Sequence, residues 1–471
     1  MVIARSSSWF RGLARQRFVM TGLASAIAAG FALMSSDALA DEAALRAEIA
    51  DLRAQIEQMK AQVKEWMAQS RAAPAAGTTT AGTAPAATAP ATPAASTPAL
   101  AQRVDKLEQQ VSAQASEVKE ASATSLFSYG EIAYSRPTHD SAETRADLAR
   151  AVIGFAHSFD DRTRAYGEFE WEHAVASADD QGEAEVEQLY VERQFGDRLA
   201  ARAGLFLIPL GLLNEHHEPT QYYGVFRNFV ETAIIPTTWR EGGVSLLGGT
   251  ESGFNWNVGV TTGFDLSKWD PTSNEGRESP LGSIHQELQL ARARDLSVYA
   301  AGNYQGVPGL TVGGGIFTGK AGQGAPNFAA PDARVTLWEG HARWQTGPFD
   351  LSALYARGTI SDTQGLNLTF VGDPTPVPKS FWGAYVQGAW HAWAYKDYSL
   401  APFARYEWVN TAASYEPVPE GLGVPPSPTE RVGTIGANFY VGPNIVLKAD
   451  YQKFHVDSSR DRFDLGFGYN F

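Results

Sequence analysis

The last nine residues, 463–471, constrain the fold of this chain more than any other stretch. Large apolar side chains occupy every second position, with polar or small residues between them: Phe463, Leu465, Phe467, Tyr469 and Phe471. In a strand, this period of two places the whole set on one face. A soluble sandwich could bury that face, but chain termini usually fray, whereas a transmembrane barrel needs a last strand that meets lipid and closes the ring. The stretch therefore favours a transmembrane β-barrel.

Composition narrows the class of protein further. The formal charge of −14 disfavours a nucleic-acid partner, and the absence of cysteine excludes disulfides and thiolate metal sites. Only the N-terminal region carries a long apolar run, which argues against a helical membrane protein. A barrel is compatible with the slightly polar mean hydropathy because its strands are only half apolar.

Residues 1–40 have the features of a signal peptide. Arginines precede a small, apolar stretch, and Ala38-Leu39-Ala40 has the small-x-small form of a cleavage site. This pattern predicts a mature protein that begins near Asp41 and lies beyond the inner membrane. An uncleaved membrane anchor is the alternative.

Residues 41–71 carry a heptad pattern whose apolar positions alternate steps of four and three: Leu45, Ile49, Leu52, Ile56, Met59, Val63 and Trp66. A repeat of 3.5 residues predicts a left-handed coiled coil. A weaker second helical segment at 100–123 keeps the phase, and residues 72–99 form an Ala/Thr/Pro linker with nothing to bury. We expect a periplasmic stalk that self-associates; a helix packed on its own barrel is the alternative.

From residue 124 to residue 471 the hydrophobic period changes to two, which predicts an outer-membrane β-barrel. Sixteen strand candidates begin near Leu126, Ala146, Thr163, Ala184, Leu199, Gly242, Ser252, Asp295, Leu310, Ala333, Phe349, Ser380, Ser399, Thr429, Asn444 and Asp461. The fold class is therefore all-β, a 16-stranded antiparallel transmembrane barrel with an N-terminal α-helical coiled coil. Short turns after even-numbered strands and long connections after most odd ones are typical of bacterial outer-membrane barrels, whose short turns face the periplasm.

The polar residues of these strands share one parity and should line the lumen. Charges of both signs on that face indicate water inside, because a ring of sixteen strands is too wide for wall side chains to fill. The sequence thus predicts permeation. Glu168, Glu170 and Glu172 alternate along one strand and should form a solvated acidic stripe rather than a catalytic carboxylate pair.

A long connection rich in aromatic residues, 209–241, follows the fifth strand. It contains Tyr222-Tyr223, a run at 226–229 and Ile234-Ile235-Pro236, and it is too apolar to extend into solvent. We expect it to fold into the lumen and narrow the pore. Packing on the rim or on a neighbouring subunit is the alternative.

Two motifs that flank this connection resemble the phosphate-selective porin O and P family. One is RAGLF at 202–206 with PLG at 209–211, and the other is IP at 235–236 followed by WREGG at 239–243. The signal, the coiled coil and Phe471 also fit that family. The resemblance implies a sixteen-stranded, trimeric porin with an inward third loop. It also implies anion passage along arginines, which map onto Arg202, Arg227 and Arg240.

The chain departs from the family in its lysines. In the family a lysine cluster lies in the constriction, whereas residues 124–471 contain only six lysines: Lys268, Lys320, Lys379, Lys396, Lys448 and Lys453. The charged lumen nevertheless predicts a water-filled channel for passive diffusion of small hydrophilic solutes and ions. The arginines favour anions, including phosphate. A general or cation-preferring porin is the alternative, and a barrel that anchors an envelope-tethering stalk is a further one.

The residues expected to matter fall into two groups. The pore and constriction candidates are Arg202, Arg227, Arg240, Glu168, Glu170, Glu172, Glu215, Glu218, Arg343, Arg405 and Lys448. The insertion signal, by resemblance to other outer-membrane barrels, is Phe467, Tyr469 and Phe471. The expected partners are outer-membrane lipid, further copies of the chain in a homotrimer, small anions or hydrophilic solutes, and the barrel-insertion machinery.

Two other kinds of chemistry are disfavoured. His216 and His217 beside Glu215 and Glu218 could bind a metal, but adjacent loop residues usually point apart, so solvated loop charges and no metal or cofactor are expected. A hydrolase barrel needs a Ser–His or Asp–His constellation near its rim. None can be built from positions that share a face, so the chain is not expected to be an enzyme.

Overall fold

The structure is a computed structural model that describes residues 123–177 and 181–471. The predicted signal peptide, coiled coil, linker and nearly all of the second helical segment lie outside the described residues. The residues from Thr124 to Phe471 form one compact unit. Its first strand begins where the sequence pattern changes to a period of two.

Seventeen strand segments build this unit. They are β1 (Thr124–Pro137), β2 (Arg145–Asp160), β3 (Thr163–Glu172), β4 (Ala184–Gly196), β5 (Leu199–Leu207), β6 (Arg240–Gly249), β7 (Phe254–Thr261), β8 (Ser297–Val307), β9 (Leu310–Lys320), β10 (Arg334–Thr346), β11 (Phe349–Ile360), β12 (Ser380–Trp390), β13 (Trp393–Tyr395), β14 (Tyr398–Ser414), β15 (Glu430–Val441), β16 (Ile445–Phe454) and β17 (Arg462–Asn470).

The helices are short and lie in the connections. They are the α-helices α1 (Glu275–Glu278) and α2 (Gln364–Thr369), a π-helical turn (Val230–Ile234), and 3-10 turns at Ser141–Glu143, Leu266–Lys268, Gly282–Ile284 and Ser458–Arg460. None of the helices in the described part of the chain has the length and apolar character needed to cross a membrane.

The strands form a closed antiparallel barrel. β12 and β13 both pair with β14 and so share one place in the wall, which leaves sixteen wall positions from the seventeen segments. Each predicted strand start lies within two residues of the observed one. The predicted strand count is therefore confirmed, and β13 is a short continuation of β12 after an interruption at residues 391–392.

The ring closes between β1 and β17. Ser128 N donates to Phe471 O at 3.1 Å, and Phe471 N donates to Ser128 O at 2.9 Å. The outer side chains Phe463, Leu465 and Phe467 are exposed, whereas Asp464 on the opposite parity is fully buried. The stretch thus has the two-faced character that its alternation predicts.

The two rims differ in the length of their connections. On one rim the strands join through short turns, such as 161–162 between β2 and β3 and 308–309 between β8 and β9. On the other rim the connections are longer and reach residues 208–239 between β5 and β6 and 262–296 between β7 and β8. Because β1 begins and β17 ends on the short-turn rim, both ends of the barrel lie there, as expected.

Part of the interior is filled by a hydrophobic core, in addition to the polar lining that alternation predicts. The inner faces of β9–β12 contribute buried apolar side chains such as Phe317 and Leu354. Trp239 stacks on Phe264 at a centroid distance of 5.2 Å and meets the edge of Phe317 at 4.5 Å. Since the long connections fold over this wall, they bury apolar area that wall side chains alone could not cover.

Candidate pore constriction

The connection 208–239, called the inward segment below, lies inside the barrel. Val225 packs over Gly466, and Val230 and Ile234 pack over Gly383, at distances that leave little room for a larger residue. These glycines belong to the inner faces of β17 and β12, since each is more buried than its two neighbours in sequence, which point the other way. The predicted inward fold is therefore confirmed for the described chain.

Glu231 organises one half of the inward segment. Its carboxylate accepts hydrogen bonds from Leu213 N at 2.7 Å, from Asn228 Nδ2 at 2.7 Å and from Tyr385 OH at 3.0 Å, and Leu212 N is a further donor. The side chain is buried. Because Tyr385 belongs to β12, this one carboxylate joins the start of the segment, its π-helical turn and the barrel wall.

The middle of the segment is anchored through its backbone. Val225 N donates to Asp450 Oδ2 at 2.6 Å, and Phe229 N donates to Glu407 Oε1 at 2.6 Å. Arg405, one of the predicted pore residues, donates to Tyr223 O at 3.1 Å and to Glu407 Oε2 at 2.8 Å. Wall charges on β14 and β16 therefore hold the segment in place, and Arg405 is buried beneath it.

Tyr222 connects the segment to β1. Its hydroxyl donates to Glu131 Oε2, a residue on the inner face. Burial raises the pKa of the Tyr222 hydroxyl, and the neighbouring Glu131 carboxylate acts in the same direction. The phenol therefore stays protonated and remains a donor at neutral pH.

A cavity of about 340 Å³ lies between the segment and the wall formed by β1–β3, β16 and β17. Four cationic side chains line it: Arg150, Arg227, Lys448 and Arg462. Two of them are paired with carboxylates, since Arg150 Nε lies 2.8 Å from Glu131 Oε1 and Arg462 Nε lies 3.2 Å from Asp464 Oδ2.

The other two cations of this cavity have neutral partners. Arg227 donates to Thr238 Oγ1 at 3.1 Å. Lys448 Nζ lies 3.4 Å from the centre of the Tyr222 ring and has no hydrogen-bond partner among the described residues. Neither side chain forms an ion pair with a carboxylate of the described residues, so this cavity has two places at which an anion could be bound.

The remaining predicted arginines lie in ion pairs elsewhere on the inner face. Arg202 Nη2 is 3.1 Å from Glu192 Oε2, and its Nη1 is 4.0 Å from Glu215 Oε1. Arg240 contacts Glu185 and lies 3.1 Å from Glu287 Oε1. Of the three arginines carried over by resemblance, only Arg227 lines the cationic cavity.

Arg343 and Glu218 complete the list of predicted pore residues. Arg343 makes a two-point contact with Asp350, at 3.0 Å to Oδ1 and 2.6 Å to Oδ2. Tyr223 OH donates to the same carboxylate at 3.1 Å, so the pair supports the segment from β10 and β11. Glu218 is half-buried in the segment.

The acidic stripe on β3 is not solvated, contrary to expectation. Glu168 and Glu170 are buried, and only Glu172 is half-buried and lines the cationic cavity. Gln188 Nε2 donates to Glu168 Oε2 at 2.6 Å. The expectation failed because the inward segment covers this part of the wall.

His217 also departs from the expectation of solvated loop charges. It is buried and lies 2.8 Å from Glu187 Oε1 on β4, whereas its neighbour His216 is exposed. The two adjacent imidazoles therefore do point apart, as the sequence argument required. Only His217 turns towards the wall, where Arg150 donates to its carbonyl oxygen.

The barrel resembles known outer-membrane structures. OmpF of Salmonella typhi, in complex with daunomycin, has a TM-score of 0.52 at 14% identity and matches 74% of this chain and 97% of its own. The outer-membrane channel DcaP of Acinetobacter baumannii has a TM-score of 0.45 at 13% identity, with coverage of 74% and 97%. The likeness to OmpF shows a shared fold: this chain forms a closed barrel of the porin type.

Sequence comparisons add one relative. An uncharacterized protein of Aquifex aeolicus is 28% identical over 347 residues, which is 72% of this chain and 77% of the relative. No family model matches the chain. The resemblance to the phosphate-selective porins therefore rests on the short motifs at 202–211 and 235–243.

Glu131, Glu187 and Arg462 are among the residues of the site that were not singled out from the sequence as pore candidates. Glu131 and Arg462 lie on the inner parity of their strands, so alternation alone could have placed them inside the barrel. Glu187 lies at a β-bulge, where it and its neighbour Gln188 are both buried, so alternation along β4 does not assign its face. Nothing in the alternation reveals that the inward segment packs against them, because that depends on how a long connection folds.

Proposed function

We propose that the protein is an outer-membrane porin, a water-filled channel for passive diffusion of small hydrophilic solutes and ions, with a preference for anions that includes phosphate. The observation that carries the anion preference is the pair of Arg227 and Lys448, two cations with neutral partners beside one cavity. A barrel of the porin type supports the channel itself, since such a wall spans a bilayer with every strand paired.

Local charge placement supports the preference despite the net charge of −14. Two unit charges 4 Å apart interact with about 1 kcal/mol in water and about 4 kcal/mol at an effective dielectric constant of about 20. Exposed charges beyond about 10 Å are largely screened at 0.1 M salt. Neither Glu168 nor Glu170 lines the cationic cavity, whereas Arg227 and Lys448 both do, so the two cations lie closer to an ion bound there.

The test is the reversal potential of single channels in a potassium chloride gradient. We expect the sign of an anion-selective channel for the wild type. Lys448→Met and Arg227→Gln each remove one cavity charge with little change in size, and each should lower the chloride-to-potassium permeability ratio by about fivefold, the equivalent of about 1 kcal/mol.

Lys453→Met is the matched control, because Lys453 lies on the same strand, is exposed and does not line the cavity. It should leave the reversal potential unchanged. A wild-type potential of the cation-selective sign would overturn the anion preference and leave a general or cation-preferring porin. Absence of any conductance from folded protein would overturn the channel itself.

We also propose that the porin lies in the bacterial outer membrane as a homotrimer with its stalk in the periplasm. Exposed aromatic and aliphatic residues on the outer face, among them Trp338, Leu447 and Phe467, support contact with lipid. The trimer rests on the resemblance to phosphate-selective porins. Membrane fractionation tests the location, and chemical cross-linking in membranes followed by unfolding gels tests the number of subunits.

A further inference from the structure

Three side chains from three parts of the chain meet behind the inward segment. Glu168 of β3, Glu187 of β4 and His217 of the segment each offer one ligand atom, and these atoms lie within 4.8 Å of one another. All three residues are buried. The sequence placed His217 beside Glu215 and Glu218, but the fold instead turns it towards carboxylates that are far away in sequence.

Hydrogen-bond geometry fixes the position of one hydrogen on the His217 ring. Its Nδ1 lies 2.9 Å from Asn214 O, and a carbonyl oxygen can only accept, so Nδ1 carries a hydrogen. The neutral ring then presents a bare lone pair at Nε2. A backbone carbonyl that holds Nδ1–H in this way is the usual support for a histidine that binds metal through Nε2.

The cluster contains fewer donors than its acceptors need. The Tyr129 hydroxyl lies 2.7 Å from His217 Nε2 and 3.1 Å from Glu187 Oε2, but it has one hydrogen to give. Glu187 Oε1 lies 2.8 Å from the same Nε2 and has no hydrogen-bond partner among the described residues. A lone pair facing a buried carboxylate oxygen at this distance requires either a proton or a cation between them.

Ligand chemistry favours a particular class of cation. We propose that Glu168, Glu187 and His217 bind one divalent first-row transition-metal ion, with Zn²⁺ as the representative. Imidazole nitrogen with two carboxylates suits Zn²⁺ and its neighbours, whereas Mg²⁺ and Ca²⁺ take oxygen ligands. Metal–ligand bonds of about 2.0–2.2 Å place two ligands of one ion about 3–4 Å apart, so small side-chain rotations suffice.

The site joins the inward segment to the wall. Glu168 and Glu187 belong to neighbouring strands. His217 lies four residues after Leu213, which Glu231 holds together with Leu212. A bound ion would therefore fasten the segment at β3 and β4, independently of which solute passes through the barrel.

The experiment uses full-length mature protein, without a histidine tag, purified in detergent and treated with EDTA. Zn²⁺ is then titrated by calorimetry, and the retained metal is counted by elemental analysis after dialysis. We expect one ion per chain. His217→Gln and Glu187→Gln should each weaken binding by about 100-fold or more, since ligand loss exceeds the 10–100-fold effect of losing an outer-shell partner.

His216→Gln is the matched control, because it alters the adjacent but exposed imidazole and should bind like the wild type. Heat-modifiable gel mobility shows that each variant is folded, and Glu168→Gln provides a further variant if one fails. Wild-type protein that retains no stoichiometric metal would overturn the proposal, as would folded His217→Gln and Glu187→Gln that bind Zn²⁺ normally. Neither result would bear on conductance, so failure here is distinguishable from failure of the porin proposal.

Discussion

Pro219 of the inward segment lies directly over Gly468 of β17. A Cβ atom on Gly468 would come within 2.4 Å of Pro219 Cβ and 2.8 Å of its Cγ. The strand that closes the barrel therefore also supports the inward segment, which narrows the pore. Its large residues face outward, and its glycines make room inside.

Gly468→Val should displace the inward segment without opening the barrel. Valine suits a strand, but its side chain occupies the position of Pro219, and overpacking of this kind costs about 1–3 kcal/mol. We expect a larger and noisier single-channel conductance from protein that still shows heat-modifiable mobility.

Gly340→Val is the control for this substitution. Gly340 is an exposed strand glycine, and the nearest atom to a Cβ built there is Gly313 O at 3.9 Å. Its conductance should equal that of the wild type. If folded Gly468→Val also conducts like the wild type, Pro219 does not depend on this glycine.

The strands were predictable because each carries its own signal. Alternation over ten or so residues assigns a face, and turn residues mark the rim, so the starts of β3, β4, β5, β9, β11 and β12 were placed without error. Both features are local. They do not depend on which other part of the chain packs against the strand.

The candidate site was only partly predictable because its burial is decided by a non-local contact. Alternation placed Glu168, Glu170 and Lys448 on the inner face, but it could not show that the inward segment would cover them. The burial of His217 has the same cause. The odd or even position of a residue along its strand predicts which face of the barrel wall its side chain occupies. Whether that side chain meets water depends on the path of residues 208–239 across the lumen.

Glu231→Ala should loosen the inward segment. The substitution leaves the Leu213 N, Asn228 Nδ2 and Tyr385 OH donors without their acceptor, at about 1–3 kcal/mol for each group that stays buried. Glu231→Gln keeps one acceptor oxygen and should have an intermediate effect. Limited proteolysis should cut the segment fastest in the alanine variant, and its channels should flicker most.

Glu420→Ala serves as the control, since it removes an exposed carboxylate from a different connection. It should change neither proteolysis nor channel noise. Equal protease resistance in wild type and folded Glu231→Ala would show that the buried carboxylate does not hold the segment.

Removal of residues 41–123 should leave a folded, conducting barrel. β1 begins at Thr124 and finds both of its neighbours, β2 and β17, within the remaining chain. The 124–471 fragment should show a faster-migrating folded band before heating. Deletion through Pro137 removes β1 as well and should abolish that band, because the ring then has two unpaired edges.

Deletion of Phe471, or Phe471→Asp, should lower the amount of protein in the outer membrane. Phe471 exchanges two backbone hydrogen bonds with Ser128, and its ring is exposed on the outer face. Tyr395→Asp makes a similar polarity change at an exposed aromatic on the same rim and should have a smaller effect. Equal losses would indicate a general cost of charge at the rim and no special role for Phe471.

Phosphate should block chloride current through the wild-type channel. An arginine presents a planar fork of donors that matches phosphate oxygens, whereas a lysine is a point charge. Arg227→Lys keeps the charge of the cavity and removes the fork. The reversal potential in potassium chloride should therefore remain as in the wild type, while the phosphate concentration needed for half-block rises.

Lys448→Met should change both the reversal potential and the phosphate concentration for half-block, and Lys453→Met should change neither. If added phosphate does not reduce the chloride current of any variant, the channel attracts anions by charge alone. Phosphate would then be one permeant anion among many.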